Sequence, residues 1–261
     1  MSDDQKSSTP ALLSAQHLCK SFGGIHAVND VSLEVAKGSI TGLIGPNGAG
    51  KTTLFNLLSN FLQPDRGQVS FDGALIHHLQ PHQIAQQGMV RTFQVAKVLS
   101  RLSVLENMML AAQHQTGENF WKVWFQPHQV QREERQLKSR AKEILASVGL
   151  LHMADAYAGA LSGGQRKLLE MARAMMVNPK LVLLDEPAAG VNPTLINQIC
   201  DYIQLWNQQE KLTFLIIEHN MDVIMSLCDR IWVLAEGKNL AVGSPQEIQT
   251  NPQVLAAYLG Q

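Results

Sequence analysis

The segment "SITGLIGPNGAGKTTLFNLL", residues 39 to 58, narrows the possible folds more than any other part of this 261-residue chain. An apolar run ends in a turn holding Gly45, Gly48 and Gly50. The turn opens a stretch with helical spacing at Leu54, Leu57, Leu58 and Phe61, which Pro64 is expected to close. Gly45 to Thr52 fit G-x-x-x-x-G-K-[ST], and the flanking strand and helix are the context this pattern requires. Glycines there let successive backbone N–H groups curl around phosphate oxygens, and the start of the helix adds positive potential. Lys51 supplies a point charge to β- and γ-phosphates, and the Thr52 hydroxyl can ligate Mg²⁺.

The rest of the chain fits an α/β protein. Short apolar runs from Ala11 to about Ile44 alternate with turns and read as strands, with a hairpin near Lys37-Gly38. "GQVSFDG" reads as a further strand ending in a turn. From about Val95 to Leu161 the pattern becomes helical. "VLENMMLAAQHQ" puts Leu105, Met108, Met109 and Ala112 on one face, and "VQREERQLKSRAKEILASVGL" is a helix with a solvated charged face that stops at Gly149. Beyond residue 161, helices alternate with nearly all-apolar strands at 181–185, 214–218 and 231–235, as in a parallel sheet buried on both faces.

Composition excludes several classes. A formal net charge of −1 gives no sign of a nucleic-acid-binding chain, though it leaves room for a local basic patch. Cys19, Cys200 and Cys228 are scattered and lack metal-ligand spacing, which reads as reduced structural thiols of a cytosolic protein. No apolar run reaches the ~18 residues that span a bilayer. The polar start "MSDDQKSSTP" has no signal-peptide core and reads as a loose tail on a chain soluble by itself.

Two other places carry chemistry. "LVLLDEP" ends a buried strand in adjacent acids, Asp185 and Glu186. Successive strand residues point opposite ways, so different roles are expected: Asp185 to hold Mg²⁺ through water, Glu186 to polarise the water attacking a γ-phosphate. Taken without the glycine loop, such a pair is often solvated punctuation. Gln94 in "VRTFQ" and His219 in "IIEHN" each follow an apolar stretch, so both fall where open α/β sheets bind ligands. Alone, a Gln is usually a surface residue and a His more often structural. In "LSGGQRKLLEMARAMM", Ser162 and Gln165 form an S-x-x-Q capping box, which accounts for a helix start. Capping does not require Gly163 and Gly164 in the first turn, where glycine costs about 1 kcal/mol relative to alanine. Such exposed backbone makes sense if an anion approaches the N–H groups. The first loop already holds one end of a nucleotide, so this second anion site calls for a second chain.

In order and spacing, Gly45–Thr53, Gln94, Leu161–Gln165, Leu181–Glu186 and His219 resemble the Walker A, Q-loop, signature, Walker B and H-loop motifs of ABC-type ATPases. The resemblance runs from about Leu12 to Leu259. It implies an α/β fold: a P-loop NTPase (RecA-like) core sheet with an antiparallel β lobe and a helical signature-motif subdomain over about 95–178. These form a single ATPase domain at 11–261 after a flexible tail at 1–10. ATP and Mg²⁺ are the implied cofactors, bound in a head-to-tail dimer. Gly45, Pro46, Asn47, Gly48, Ala49, Gly50, Lys51, Thr52 and Thr53 would hold the nucleotide on one subunit, and Ser162, Gly163, Gly164 and Gln165 would meet the nucleotide of the other. Thr52, Gln94 and Asp185 would serve the metal, with Gln94 also relaying to the membrane partner. Glu186, His219 and Gln94 would serve catalysis, His219 bridging γ-phosphate and Glu186. Phe22 in "KSFGG" matches the position where an aromatic stacks on adenine, though a Phe in a small β lobe is as easily core. One departure stands out: "AGVN", Ala189–Asn192, replaces the frequent S-A-L-D, so an uncharged amide stands where an aspartate is usual.

Among ABC proteins, a repair or chromosome ATPase would carry a long coiled coil or zinc insertion, and a ribosome-associated factor two fused ATPase domains. This chain has neither. "GMVRTFQ", "DEPAAGVNP" and "LIIEHNMDVIMSLCDRIWVLAEGK" resemble the longer ATPase of importers for branched-chain and other hydrophobic or neutral amino acids. Close relatives serve urea or amides. The resemblance implies two permease subunits, a second and non-identical ATPase, a periplasmic solute-binding protein, and a peripheral place on the cytoplasmic face of a bacterial inner membrane. The aromatic run "NFWKVWF" at 119–125 either packs on its own lobe or docks a permease or the membrane surface.

Overall fold

The computed structural model describes residues 11–92, 98–112 and 127–259. Among these, the strands are β1 (Ala11–Phe22), β2 (Ile25–Ala36), β3 (Ile40–Ile44), β4 (Arg66–Phe71), β5 (Ala74–Leu75), β6 (Met89–Arg91), β7 (Leu181–Asp185), β8 (Thr213–Ile217), β9 (Arg230–Ala235) and β10 (Lys238–Gly243). The helices are α1 (Lys51–Leu58), α2 (Pro81–Gln86), α3 (Val104–Met109), α4 (Pro127–Ser147), α5 (Gly163–Met175), α6 (Pro193–Glu210), α7 (Met221–Leu227), α8 (Pro245–Gln249) and α9 (Pro252–Leu259). No helix of the described residues is long and apolar enough to cross a membrane. The chain divides into two compact units, Met1–Ile84 with Gln204–Gln261, and Ala85–Ile203.

The first unit holds an antiparallel sheet of order β2-β1-β4-β5 and strands ordered β10-β9-β3-β8. In β2, Val31, Leu33 and Val35 are buried and alternate with more exposed residues, the signature of a sheet with one wet face. By contrast β3 is buried at all five positions and pairs in parallel with both β8 and β9. Helix α7 lies directly on it, so that a Cβ added at Gly42 would sit 3.0 Å from Cys228 Sγ and 3.2 Å from Ile224 Cδ1.

This arrangement corrects the expected hairpin at Lys37-Gly38. The hairpin instead joins β1 to β2 through Gly23-Gly24, whose φ values of 52° and 88° suit a tight turn with left-handed residues. After Lys37-Gly38 the chain leaves the antiparallel sheet, because the continuously apolar β3 needs cover on both faces. Pro64 does not close α1 either. The helix ends at Leu58, Asn60 takes a left-handed conformation at φ 55°, and Phe61 is exposed. The alternation of helix and parallel strand is also broken at the end, where β10 returns antiparallel to β9.

In the second unit β6 and β7 pair in parallel, with Met89 opposite Leu181 and Arg91 opposite Leu183. Helix α4 buries Ala141 and Leu145 and leaves most of its charges in water, and the chain turns at Gly149 with φ 70°. A fully buried Asn107 on α3 organises the loop before its own helix. Its amide donates to the carbonyls of Leu99 at 3.0 Å and Ser103 at 2.9 Å, and its Oδ1 accepts from Leu99 N–H at 2.8 Å. Arg173 of α5, 3% exposed, donates to the Asn107 carbonyl at 3.1 Å. Replacing Asn107 by Leu keeps much of the volume but leaves these loop groups without partners. It should lower unfolding free energy by about 3 kcal/mol, read by urea denaturation.

Candidate nucleotide site

Strand β3 delivers the chain into the first glycine turn. Gly45 is buried with φ 151°, and a Cβ there would collide with the Leu234 carbonyl; Gly50 has φ 93°, and a Cβ there would collide with the Ala27 carbonyl. Both positions are therefore closed to side chains by backbone on the far side. The Lys51 side chain is 6% exposed and folds back over the turn, its Nζ donating to the carbonyls of Gly45 at 2.7 Å and Pro46 at 2.9 Å. Thr52 is exposed and Thr53 half-buried, as are Asn47 and Pro46 respectively, while Ala49 is buried.

How α1 begins is informative. Helices α3, α5 and α8 open with complete capping boxes from Ser103, Ser162 and Ser244. Helix α1 opens with Gly50, without a side-chain cap and without an acid in its first turn. The positive end of its dipole and its first N–H groups are left for an external anion, with the Lys51 ammonium beside them.

Sequence reading missed one neighbour of this loop. Tyr258 of α9 has its phenol near the Gly45 backbone; burial pushes its pKa above the ordinary value, and the Gly45 backbone draws it partly back. No periodic pattern marks Tyr258, because the contact joins residues more than two hundred positions apart. Phe22 is 48% exposed, with Lys20 Nζ 5.8 Å from its ring centroid, so it is not a core residue. His219 follows β8 and is exposed. Its N–H donates at 3.0 Å to Oε2 of the buried Glu218, which also accepts from Asn220 N–H at 3.3 Å.

The second unit holds the remaining motifs. Asp185 ends β7, and Glu186 has already left the strand with φ 50°. The difference between the two acids therefore comes from this change of backbone direction, not from alternation along a strand. Sequence reading also missed Arg91, whose Nη2 donates to Asp185 Oδ2 at 2.8 Å from a side chain 2% exposed. Burial lowers the Arg91 pKa from its ordinary value, and the bond and charge of Asp185 raise it again. Asp185 makes no other hydrogen bond or ion pair among the described residues. The only early sign of Arg91 was a charge inside an otherwise apolar run, "GMVRTF".

The expected capping box at the second glycine stretch is present. Ser162 Oγ accepts from Gln165 N–H at 3.2 Å, and Gln165 Oε1 accepts from Ser162 N–H at 2.9 Å. A hydroxyl that accepts one bond keeps its own proton to donate. A Cβ at Gly163 would meet nothing within 4 Å, whereas one at Gly164 would run into the Leu195 side chain. Within this unit the turn borders a cavity of ≈ 570 Å³ that Ala189–Asn192 also line. Asn192 Oδ1 accepts from Leu195 N–H at 2.9 Å, capping α6 as an aspartate would, but without charge.

Phe22, Gly45–Thr53 and His219 thus lie in the first unit, and Asp185, Glu186 and Ser162–Gln165 in the second. Gln94 lies outside the described residues, as does the aromatic run at 119–125 with Trp121 and Trp124. No group of three or more His, Cys, Asp or Glu side chains among the described residues could cage a metal. A half-buried carboxylate such as that of Asp185 is a donor type that suits Mg²⁺, which is commonly held by one or two carboxylates together with substrate phosphates.

Comparison with known proteins gives the family. Residues 28–189 match the family model described as ABC transporter. The chain belongs to the ABC transporter family. Within that class, residues 238–261 match a model described as branched-chain amino acid ATP-binding cassette transporter. The chain is 40% identical over 250 residues to the high-affinity branched-chain amino acid transport ATP-binding protein BraF of Pseudomonas aeruginosa, covering 96% of this chain and 98% of that protein. It is 42% identical to the probable branched-chain amino acid transport ATP-binding protein LivG of Archaeoglobus fulgidus, with 95% of each covered. Among solved structures, the ADP conformation of MJ1267, an ATP-binding cassette of an ABC transporter, superposes with a TM-score of 0.83 at 36% identity. That match covers 97% of this chain and 100% of the other. The fold is that of the ABC ATPase cassettes.

Replacing Lys51 by Ala removes the ammonium bonded to the loop carbonyls of Gly45 and Pro46. ATP affinity, read by fluorescent-nucleotide titration, should fall at least about tenfold, since a bond to a charged group contributes about 1.5–3 kcal/mol.

Proposed function

We propose that this chain is the ATP-binding and ATP-hydrolysing subunit of an importer for branched-chain and other neutral, hydrophobic amino acids. Its partners in this reading are two permease subunits, a second and non-identical ATP-binding subunit, and a periplasmic solute-binding protein. It sits at the cytoplasmic face of the inner membrane, held through the permeases. The observation that carries the nucleotide part is the uncapped start of α1 at a glycine turn with the Lys51 ammonium folded over it. The relatives' shared description as branched-chain amino acid transport proteins supports the solute. The solute pocket itself belongs to other subunits, so reconstitution with the permeases and a solute screen is the direct test.

In this reading the N–H groups of Gly45–Thr53 and the Lys51 ammonium bind the β- and γ-phosphates, and the Phe22 ring stacks on adenine. Thr52, Gln94 and Asp185 would hold Mg²⁺, which when bound would supply charge neutralisation at those phosphates. Glu186 orients the attacking water and takes its proton, and His219 assists at the γ-phosphate. Ser162–Gln165 receive the γ-phosphate of the nucleotide held by the other subunit. Support for that last step comes from Gly163, which neither packing nor a left-handed backbone requires to be glycine.

Glu186→Gln keeps the size and removes the base. Steady-state phosphate release should fall at least about a hundredfold while ATP stays bound and the dimer stays closed. Normal hydrolysis by this variant would overturn the assignment. Ser162→Arg should abolish uptake by the reconstituted transporter while the isolated subunit binds ATP as before. Loss of nucleotide binding in the isolated variant would point to a purely structural turn.

A further inference from the structure

Arg91 ends the short strand β6 and lies opposite Leu183 in the parallel pair with β7. From there its guanidinium reaches the end of β7 and bonds Oδ2 of Asp185 at 2.8 Å. The Arg91 side chain is 2% exposed and that of Asp185 24% exposed. The ion pair thus has one end in the interior and the other open to solvent.

Stability is a poor explanation for such a pair. Moving a guanidinium out of water costs several kcal/mol, and buried ion pairs are often replaceable by apolar side chains without loss. What the pair does secure is orientation. Beyond Asp185 the strand ends, Glu186 turns away at φ 50°, and a second carboxylate follows immediately. Nothing else among the described residues bonds the Asp185 carboxylate, so without Arg91 it would turn about its side-chain torsions and be pushed by its neighbour's charge.

We propose that Arg91 is a positioning residue for the metal-holding acid: it pins one oxygen of Asp185 so that the other is presented to the divalent cation accompanying the nucleotide. This rests on the reading of Asp185 as the acid that serves Mg²⁺. Arginine suits the task better than lysine, because its planar fork fixes the carboxylate plane and it stays charged when buried. Partners that orient a ligating carboxylate typically account for ten- to a hundredfold in metal affinity.

The test uses the full chain and titrates ADP affinity in EDTA and over a range of Mg²⁺ concentrations, with thermal melting as a check on folding. Arg91→Met should leave metal-free ADP affinity within about twofold of the parent and raise the half-maximal Mg²⁺ concentration at least about tenfold. Asp185→Asn should raise it similarly, and the double variant should go no further than Asp185→Asn alone. If Arg91→Met does not fold, Arg91→Lys carries the same expectation, since it retains charge but loses the fork. An unchanged Mg²⁺ dependence accompanied by a lower melting temperature makes Arg91 a structural brace and overturns the proposal. An equal loss of ADP affinity with and without metal does the same. If Asp185→Asn itself leaves the Mg²⁺ dependence unmoved, the underlying reading of Asp185 fails, and the two failures are told apart.

Discussion

The geometry of the phosphate turn depends on how β3 is held at its two ends. At its start, Asp229 Oδ2 accepts from Ile40 N–H at 2.8 Å and Thr213 Oγ1 accepts from Gly38 N–H at 2.9 Å. Asn207 donates to the carbonyls of both Gly38 and Leu212 at 2.8 Å. At its end, the backbones of Leu234 and Ala27 press so closely on Gly45 and Gly50 that no side chain fits. Between these ends the strand is buried throughout, with β8 and β9 on its two edges and α7 on one face. A strand so constrained cannot slide in register, and the turn that follows inherits its position.

Apart from the asparagine caps of α6 and α7, two kinds of helix start among the described residues contrast, one satisfied by its own side chains and one left open. Where a serine reaches the third N–H and a Glu or Gln reaches back, the helix satisfies its own donors. This happens at Ser103 and Ser244 with no further consequence. At Gly50 the donors are left to whatever arrives from outside. The turn at Ser162 is intermediate. Its cap is complete, yet Gly163 keeps one side of the backbone bare and the serine hydroxyl retains a proton. That combination suits the role proposed for Ser162–Gln165, a turn complete in a free subunit that still offers backbone and a hydroxyl to an anion.

Much of this was legible in the sequence where a signal is local. The glycine loop, the Ser162 box, the buried strand ending in two acids and the solvated face of α4 are all short-range patterns, and each is found where expected. What escaped reading depends on partners far along the chain. The two turns at Gly23-Gly24 and Lys37-Gly38 look alike as dipeptides. Only the alternation in β2 against the unbroken burial of β3 tells which one closes a hairpin. Arg91 and Asn107 look like polar residues among apolar ones. Their meaning lies in an acid ninety-four positions away and in backbone carbonyls of the preceding loop. Side chain to backbone bonds have no period, so no spacing announces them.

The conformation of Glu186 sets a limit on how this chain can change. A left-handed backbone at φ 50° costs a residue with a Cβ about 1–2 kcal/mol, a cost glycine does not incur and asparagine incurs less. His17, Lys211 and Glu236 carry the same backbone cost, but Glu186 is the one among them proposed to orient the attacking water. Selection for thermal robustness alone would drift toward glycine or asparagine at 186 and erase that acid. Durability and turnover pull this one residue in opposite directions, and the glutamate is a record of which of them prevailed.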